Sequence, residues 1–355
     1  MANPYLSAPL QAFWRHGVAA SKGEDFSHLF TPKFSIDQND VIATAGSCFA
    51  QHISRALIAA GCRMLDAEPA PRQLPPDTAK AFGYGLYSGR YGNIYTARQM
   101  RELLEEIFCT PAQPVLCWPL GAGWVDALRP RLEPEGLASQ LEVAVQRKEH
   151  LAALKARLPE CSLFVFTLGM TEAWQDLASG RTLPVCPGII AGSFSDLTTR
   201  FVTFRYPEVM EDLTRLRNLL HRLNPQMRLL LTVSPVPLAA TASGRHVLAA
   251  STRSKATLRA AAEDFADAHA DVDYFPSFEI VTSPAARSPR FEQNLRHVRA
   301  ETVDAIMALF MQAYGLAPVM PKDLALAAAP TPAQSDDADD RLICEEALLD
   351  AFAPP

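Results

Sequence analysis

Short apolar runs alternate with amphipathic helical patterns through most of this chain, and this alternation restricts the folds open to it. The strand-like runs cover residues 41–45, 163–168, 229–233 and 272–275, and the helical patterns include 137–158, 208–223 and 255–268. Strands that are apolar along their whole length are buried on both faces, which is typical of a parallel sheet covered by helices on each side. We therefore predict an α/β protein with three layers, α/β/α, around a parallel central sheet.

Composition divides the chain into three parts. Residues 1–33 are predicted to form an N-terminal extension packed on the core, and residues 34–318 the α/β domain. Residues 319–355 form an acidic, Ala/Pro-rich tail that we expect to be disordered except for a short terminal helix, because it has too little apolar surface to bury. That helix could dock on a protein partner or on the chain's own body. The aromatic residues expected to anchor the N-terminal part are Phe13, Trp14, Phe26, Phe30 and Phe34.

Charge, hydropathy and cysteine spacing exclude several classes of protein. The formal net charge of −6 argues against a nucleic-acid partner, which would require a clustered basic face. No apolar run reaches the length of a membrane span, and the N-terminus lacks the features of a signal peptide, so we expect a cytoplasmic protein. The seven cysteines are scattered without a Cys-x-x-Cys pair, which indicates reduced thiols and gives no support for a metal site.

A glycine and a serine follow the first predicted strand directly, and a helical pattern begins at once. This layout presents the hydroxyl of Ser47 at the carboxyl end of a strand, beside the unpaired N–H groups that open a helix. Such a hydroxyl can act as a nucleophile next to an oxyanion site. The alternative is an N-cap serine. Cys48 is the rival nucleophile, although we expect its side chain to turn toward the sheet and pack there.

Polar residues also follow two further strands, at 169–172 and at 234–235. Because ligands bind at the carboxyl ends of parallel strands, these segments and Ser47 are expected to share one crevice. Gly92 and Asn93 could add a closely approaching backbone N–H and a side-chain amide, or they could form only a turn before a helix capped by Thr96.

Several blocks of the sequence carry a family resemblance. They are Gly46-Ser47-Cys48-Phe49-Ala50 and the segments 91–96, 167–174, 232–238, 254–255 and 274–279. In this order they resemble the GSCFA family, part of the wider group of SGNH hydrolase-like proteins. The resemblance implies a flavodoxin-like arrangement of the three layers. It also implies an activity among esterases, lipases, deacetylases and acyltransferases, which often act on carbohydrates.

The resemblance also implies roles for individual residues. Ser47 matches the nucleophile, and His297 matches the histidine that serves as the base. The backbone N–H groups of Ser47 and Gly92 are expected to bind the oxyanion. Thr171 stands where the group more often has asparagine, so the oxyanion site is expected to be built differently. The remaining expected oxyanion or substrate-binding residues are Asn93, Gly169, Glu172, Ser234 and Lys255.

The sequence departs from the group at the acid of the triad. An aspartate usually stands three residues before the histidine, and here that position is Asn294. Asparagine cannot stabilise an imidazolium by charge and can hold the wrong tautomer. Three outcomes are open: a Ser–His dyad, another carboxylate that orients the ring, or a protein that binds its ligand without turnover. The candidate carboxylates are Glu172, Glu279 and Glu292.

We predict a serine-dependent carbohydrate O-acyl esterase or O-acyltransferase that acts on an acylated carbohydrate or another small ester. No cofactor is expected, except acyl-CoA as the acyl donor if the chain is a transferase. The alternative is a catalytically impaired module that binds a glycan or a protein partner. Lys255 could contact an anionic group of the substrate or lie on a solvated helix face.

Overall fold

The computed structural model describes residues 3–20, 26, 28–110, 113–285, 288–316 and 345–352. The strands are Val41–Ala45 (β1), Arg63–Met64 (β2), Cys117–Leu120 (β3), Gly123–Asp126 (β4), Leu163–Leu168 (β5), Glu172–Asp176 (β6), Thr182–Leu183 (β7), Thr199–Thr203 (β8), Arg228–Val233 (β9) and Val272–Phe275 (β10). The helices are Cys48–Ala59 (α1), Pro76–Ala81 (α2), Ala97–Phe108 (α3), Gln140–Arg157 (α4), Tyr206–Leu223 (α5), Val247–Ala268 (α6), Ser277–Thr282 (α7) and Ala300–Ala313 (α8).

Five strands form the central sheet, in the order β2-β1-β5-β9-β10, and every neighbouring pair is parallel. Numbered by their sequence in the chain, these strands run 2-1-3-4-5, which is the flavodoxin-like order. The chain reverses its direction across the sheet between β1 and β5, so a crevice opens at the carboxyl ends of those two strands. The predicted parallel sheet and flavodoxin-like class are confirmed.

Helices cover both faces of the sheet because the strand side chains alternate between two apolar clusters. Ile42 and Val165 belong to a cluster that includes Phe49 of α1 and Phe310 of α8. The neighbouring strand residues, such as Phe164, belong to the opposite cluster together with the inner faces of α3, α5 and α6. Strands that are buried on both faces are mainly apolar, which explains the nearly continuous apolar runs of β1 and β5.

Capping side chains set the beginnings of several helices. Thr96 and Gln99 form the predicted capping box at the start of α3, with hydrogen bonds of 3.1 Å and 3.0 Å. The helix expected at 255–268 begins earlier, at Val247, where Nδ1 of His246 accepts from the N–H of Leu248. The last helix begins at Ala300. His297 therefore lies in the loop before it.

Two small antiparallel sheets and the terminal segments complete the described chain. β3 and β4 form a hairpin, and β7-β6-β8 form a three-stranded sheet inserted after β5. Phe30 packs edge-on against Phe275 at 5.3 Å, whereas Trp14 is 67% exposed and does not make the anchoring contact expected of it. In the predicted tail, a 3-10 helix covers Glu345–Phe352. The rest of the tail lies outside the described residues. None of the helices in the described ranges is long and apolar enough to cross a membrane.

A histidine–carboxylate pair lies between α4 and the loop after β2. Nδ1 of His150 lies 2.7 Å from Oε2 of Glu68, which also accepts from the N–H of Arg90 at 2.7 Å. Burial lowers the pKa of His150 to about 3, so the ring is neutral and donates its Nδ1 proton. Burial raises the pKa of Glu68, but the bonds from His150 and Arg90 outweigh it and leave the pKa at about 2.

This pair predicts a loss of stability in mild acid. Between pH 6.5 and pH 3 the unfolded chain binds a proton on His150 that the folded chain does not bind. The free energy of unfolding therefore decreases as the pH is lowered through this range. For this group alone we expect a loss of about 2 kcal/mol from pH 7 to pH 5. Denaturant unfolding at both pH values measures it. The variant His150→Gln keeps a donor to Glu68 and should show a shallower pH dependence; an unchanged dependence would contradict the assignment.

Candidate active site

The turn from β1 into α1 requires a glycine. Gly46 has φ +147°, and a Cβ on it would lie 2.8 Å from the Cβ atoms of both Ala50 and Thr167. Both distances are below any that real side chains show, so a larger residue would push α1 away from the sheet. The glycine thus places Ser47 directly at the carboxyl end of β1.

Ser47 is the N-cap residue of α1, but its hydroxyl does not cap the helix. The residue is extended, with φ −107° and ψ −162°, and no hydrogen bond runs from its side chain to the first turn. Within the part of the chain that the structure describes, neither its hydroxyl nor its backbone N–H has a hydrogen-bond partner. The alternative in which Ser47 serves as a helix cap through its side chain is therefore wrong. The hydroxyl and the backbone N–H of Ser47 remain available beside the positive end of the helix dipole.

Ser47 opens on a narrow crevice at the switch point of the sheet. Its walls come from the ends of β1, β5 and β9, from α6 and from the segment before α3, namely Ser47, Cys48, Tyr95, Gly169, Met170, Ser234, Val236, Leu238 and Lys255. The carbonyl of Tyr95 accepts from the N–H groups of Gly169 and Met170 at 2.9 Å and 3.0 Å. The crevice holds about 10 Å³, roughly the space of one water molecule.

One crevice residue departs from an alternative that the sequence left open. Lys255 is only 3% exposed, and its Nζ donates to the carbonyl of Gly169 at 2.6 Å, so it does not lie on a solvated helix face. Cys48 is half-buried and is among the residues that line the crevice beside Ser47. The packing of its side chain against the sheet stays a prediction.

The segment around Gly92 and Asn93 is hydrogen-bonded to the turn between β1 and α1. The N–H of Ile94 donates to the carbonyl of Gly46 at 2.8 Å. Oδ1 of Asn93 accepts from the hydroxyl of Tyr87 at 2.5 Å, and that hydroxyl accepts from Gln51 of α1 at 3.2 Å. Gly92 has φ +69°, which favours glycine. Gly92 and Asn93 do not line the Ser47 crevice but a larger cavity on the other side of this segment.

Thr171 and Glu172 lie beyond the crevice. The N–H of Thr171 donates to Oγ of Ser254 at 2.8 Å. Thr171 and Glu172 are not among the described residues that line the crevice. Oε2 of Glu172 accepts from Thr241 at 2.7 Å, and burial raises the pKa of this carboxyl. Sequence reasoning missed the lining role of Tyr95 and Met170, although both stand inside blocks that carry the family resemblance.

His297 precedes α8, which packs against α1. The hydroxyl of Tyr314, the residue that follows α8, donates to Oδ2 of Asp273 in β10 at 3.0 Å. Among the described residues, no hydrogen bond joins the imidazole to the Ser47 hydroxyl, and His297 is not part of the crevice wall.

Asn294 fixes the tautomer of His297. Its Oδ1 accepts from the backbone N–H groups of Arg296 at 3.0 Å and of His297 at 2.9 Å. The side-chain nitrogen must then face the ring, where Nδ2 donates to Nδ1 at 2.8 Å. A neutral imidazole that accepts at Nδ1 carries its proton on Nε2. In this state Nε2 cannot accept a proton from a serine.

The three candidate carboxylates have other partners or face solvent. Glu279 accepts from Nε of Arg259 at 2.6 Å and from the hydroxyl of Tyr274 at 2.8 Å. Glu172 accepts from Thr241, and Glu292 is exposed. Within the described ranges, none of these side chains bonds the imidazole, so Asn294 alone orients it. No group of three or more His, Cys, Asp or Glu residues in those ranges has the arrangement of metal ligands.

The chain is a three-layer α/β protein with a serine at the switch point of its parallel sheet and at the start of a helix. A family model, that of the GSCFA family, matches residues 41–310. This match spans well over half of the chain, so the chain belongs to the GSCFA family, and the resemblance found in the sequence is confirmed. A comparison with curated proteins finds no match.

Three solved structures are similar to the chain. They are a family 3 carbohydrate esterase of Clostridium thermocellum (11% identity, 77% of this chain and 94% of that chain, TM-score 0.33), a family 3 carbohydrate esterase of Talaromyces cellulolyticus (9%, 78% and 98%, 0.31), and a carbohydrate acetylesterase family member of Sinorhizobium meliloti (16%, 78% and 100%, 0.29). At these TM-scores the superposition is loose, and it assigns no role to any residue of this chain.

Proposed function

We propose that this protein is an acyl-ester enzyme, an O-acyl esterase or O-acyltransferase, that acts on an acylated carbohydrate or another small ester. The observation that carries the proposal is the Ser47 side chain, whose hydroxyl makes no capping bond and lies at the switch point beside the start of α1. Membership of the GSCFA family supports the proposal.

In the proposed reaction Oγ of Ser47 attacks the acyl carbonyl, and the alcohol leaves to give an acyl-enzyme. The N–H of Ser47 stabilises the oxyanion. It does not donate to another described residue, whereas Gly92, expected from the sequence to share this role, does not line the crevice. His297 takes the serine proton and returns it to the leaving oxygen. Water then completes hydrolysis, or a second alcohol completes transfer; in a transferase, acyl-CoA would supply the acyl group.

A second function, a binding module with little turnover, is favoured by one observation. The Asn294 amide holds His297 with the proton on Nε2, which is the wrong tautomer for a base at that atom. Turnover then requires the ring to leave this hydrogen bond, so the structure favours a slow enzyme over a fast one.

We expect Asn294→Asp to raise the kcat of ester hydrolysis by roughly 10²-fold. A carboxylate accepts from Nδ1–H, which frees the lone pair of Nε2 and stabilises the imidazolium. Hydrolysis of 4-nitrophenyl acetate and of a peracetylated sugar measures the change.

Two variants make this test specific. His297→Ala in the Asn294→Asp background should remove the gain, and Glu292→Gln, at an exposed site in the same loop, should leave kcat unchanged. An Asn294→Asp protein with unaltered turnover would exclude His297 as the base.

A further inference from the structure

A large cavity among the described residues lies beside the segment that contains Gly92 and Asn93. It has a volume of about 690 Å³, within the range of about 300 to 1,000 Å³ typical of small-molecule sites. Asn93 and Gly92 form part of its wall, and Ile94 next to them is bonded to Gly46. The Ser47 crevice itself has room for only one water molecule. The bulk of a substrate that reaches Ser47 must therefore lie outside the crevice, and this cavity lies on the other side of the segment bonded to Gly46.

The walls of this cavity are mainly aliphatic. Leu86, Leu120, Leu132, Ile189 and Ile190 line it, and Leu348 of the C-terminal 3-10 helix joins them. Tyr87 is the single aromatic residue among the described residues of the wall, and its hydroxyl donates to Oδ1 of Asn93. Sugar sites present aromatic faces and many polar groups, so this wall suits an aliphatic chain better than a bare glycan.

One cation in the wall has no counter-charge. Nη1 of Arg131 is buried and makes no hydrogen bond, and no ion pair to Arg131 exists in the described part of the chain. Arg129, also in the wall, is satisfied by Asp126, the carbonyl of Arg90 and Gln146. Lys80 also lies in the wall and has an interaction partner, and Asp77, the one carboxylate among the described wall residues, is exposed. A guanidinium nitrogen that is buried without a hydrogen-bond partner is costly unless an anion binds to it.

We propose that this cavity binds an aliphatic chain that carries one anionic head group, and that Arg131 pairs with the head group. If the protein has the acyl-ester activity proposed above, the bound molecule is its acyl donor or acceptor, and the substrate class is an anionic amphiphile. The anion is a phosphate or a carboxylate, both of which a guanidinium binds through paired N–H donors.

Calorimetric titration of the full-length Ser47→Ala protein tests binding without turnover. We expect octyl phosphate or octanoate, below the micellar concentration, to bind at least tenfold more tightly than inorganic phosphate, because the chain fills the aliphatic wall. Tighter binding of octyl phosphate assigns a phosphate head group, and tighter binding of octanoate assigns a carboxylate. No binding of either compound would overturn the proposal.

Matched variants identify the residue. Arg131→Gln should weaken binding of the anionic amphiphile by about tenfold or more, Arg131→Lys should retain most of it, and neutral octyl glucoside should be unaffected by either change. Arg215→Gln, on an exposed face of α5, is the control. Equal affinity in Arg131→Gln and the parent protein would overturn the proposal. Because Ser47 is absent from this assay, a failure of the proposed catalysis would leave the binding result intact.

Discussion

Replacing Ser47 by alanine is expected to abolish covalent labelling by a fluorophosphonate probe and to lower kcat/KM for ester hydrolysis by roughly 10³-fold or more. The probe reacts when a serine oxygen displaces fluoride from phosphorus, so labelling reports on the nucleophile and not on folding. Ser47 has the required position: its hydroxyl makes no capping bond, and the free N–H of the same residue can bind the oxyanion. Gel detection of the probe and a spectrophotometric assay measure the two effects.

Cys48 provides the control for this experiment. It lies beside Ser47 in the same crevice and is the other possible nucleophile. We expect Cys48→Ala to keep both labelling and hydrolysis. If labelling is lost with Cys48→Ala and kept with Ser47→Ala, the nucleophile is the thiol and the serine mechanism is wrong. If neither the parent protein nor a variant is labelled while the fold is intact, the binding module is favoured.

Replacing Arg147 by methionine is expected to lower the free energy of unfolding by about 3 kcal/mol or more. Arg147 of α4 is 3% exposed and pairs with Glu106 of α3, and its Nη1 lies 3.4 Å from Oδ2 of Asp126. Burial raises the pKa of Asp126, but the charges of Arg147 and Arg129 outweigh it and leave the pKa at about 2. The variant would leave two buried carboxylates with one arginine fewer to compensate them. Denaturant unfolding at pH 7 measures the loss.

Arg215 offers the matched control for Arg147. It is half-exposed and pairs with Glu211 at 3.2 Å on the surface of α5. Arg215→Met should change the free energy of unfolding by less than about 0.5 kcal/mol, since exposed ion pairs contribute little. If both variants lose the same stability, the buried cluster does not stabilise the fold. Adding Glu106→Gln to Arg147→Met should recover part of the loss, because it removes one uncompensated charge.

The sequence predicted four of the five strands of the central sheet because these four are mainly apolar. The runs 41–45, 163–168 and 272–275 match β1, β5 and β10. The run 229–233 matches β9 except that the strand begins one residue earlier, at Arg228. Strand order could not be predicted in the same way, since it depends on which edge each crossover returns to. The inserted sheet of β6, β7 and β8 was also missed, because its strands are short and half-buried and so lack a clear apolar pattern.

In the candidate site, the sequence located part of the crevice. Ser47, Gly169 and Ser234 reach it because parallel strands end at a common edge, and Lys255 reaches it from α6. Other residues expected at the site do not line the crevice, namely Gly92, Asn93, Thr171, Glu172 and His297. The sequence also identified Asn294 as a departure from the usual aspartate. Only the loop geometry decided which side of its amide faces His297, because two backbone N–H groups occupy Oδ1.

The sequence by itself determined the layered class of the fold, the family and the serine at the end of the first strand, since periodicity and local turn chemistry are written in neighbouring residues. The tertiary structure decided that the Ser47 hydroxyl makes no capping hydrogen bond and that the imidazole of His297 accepts at Nδ1. It also decided that Asn93 and Arg131 line an aliphatic cavity and that Nη1 of Arg131 has no hydrogen-bond partner among the described residues. These features depend on side chains brought together from distant parts of the chain, and no local pattern encodes such distances.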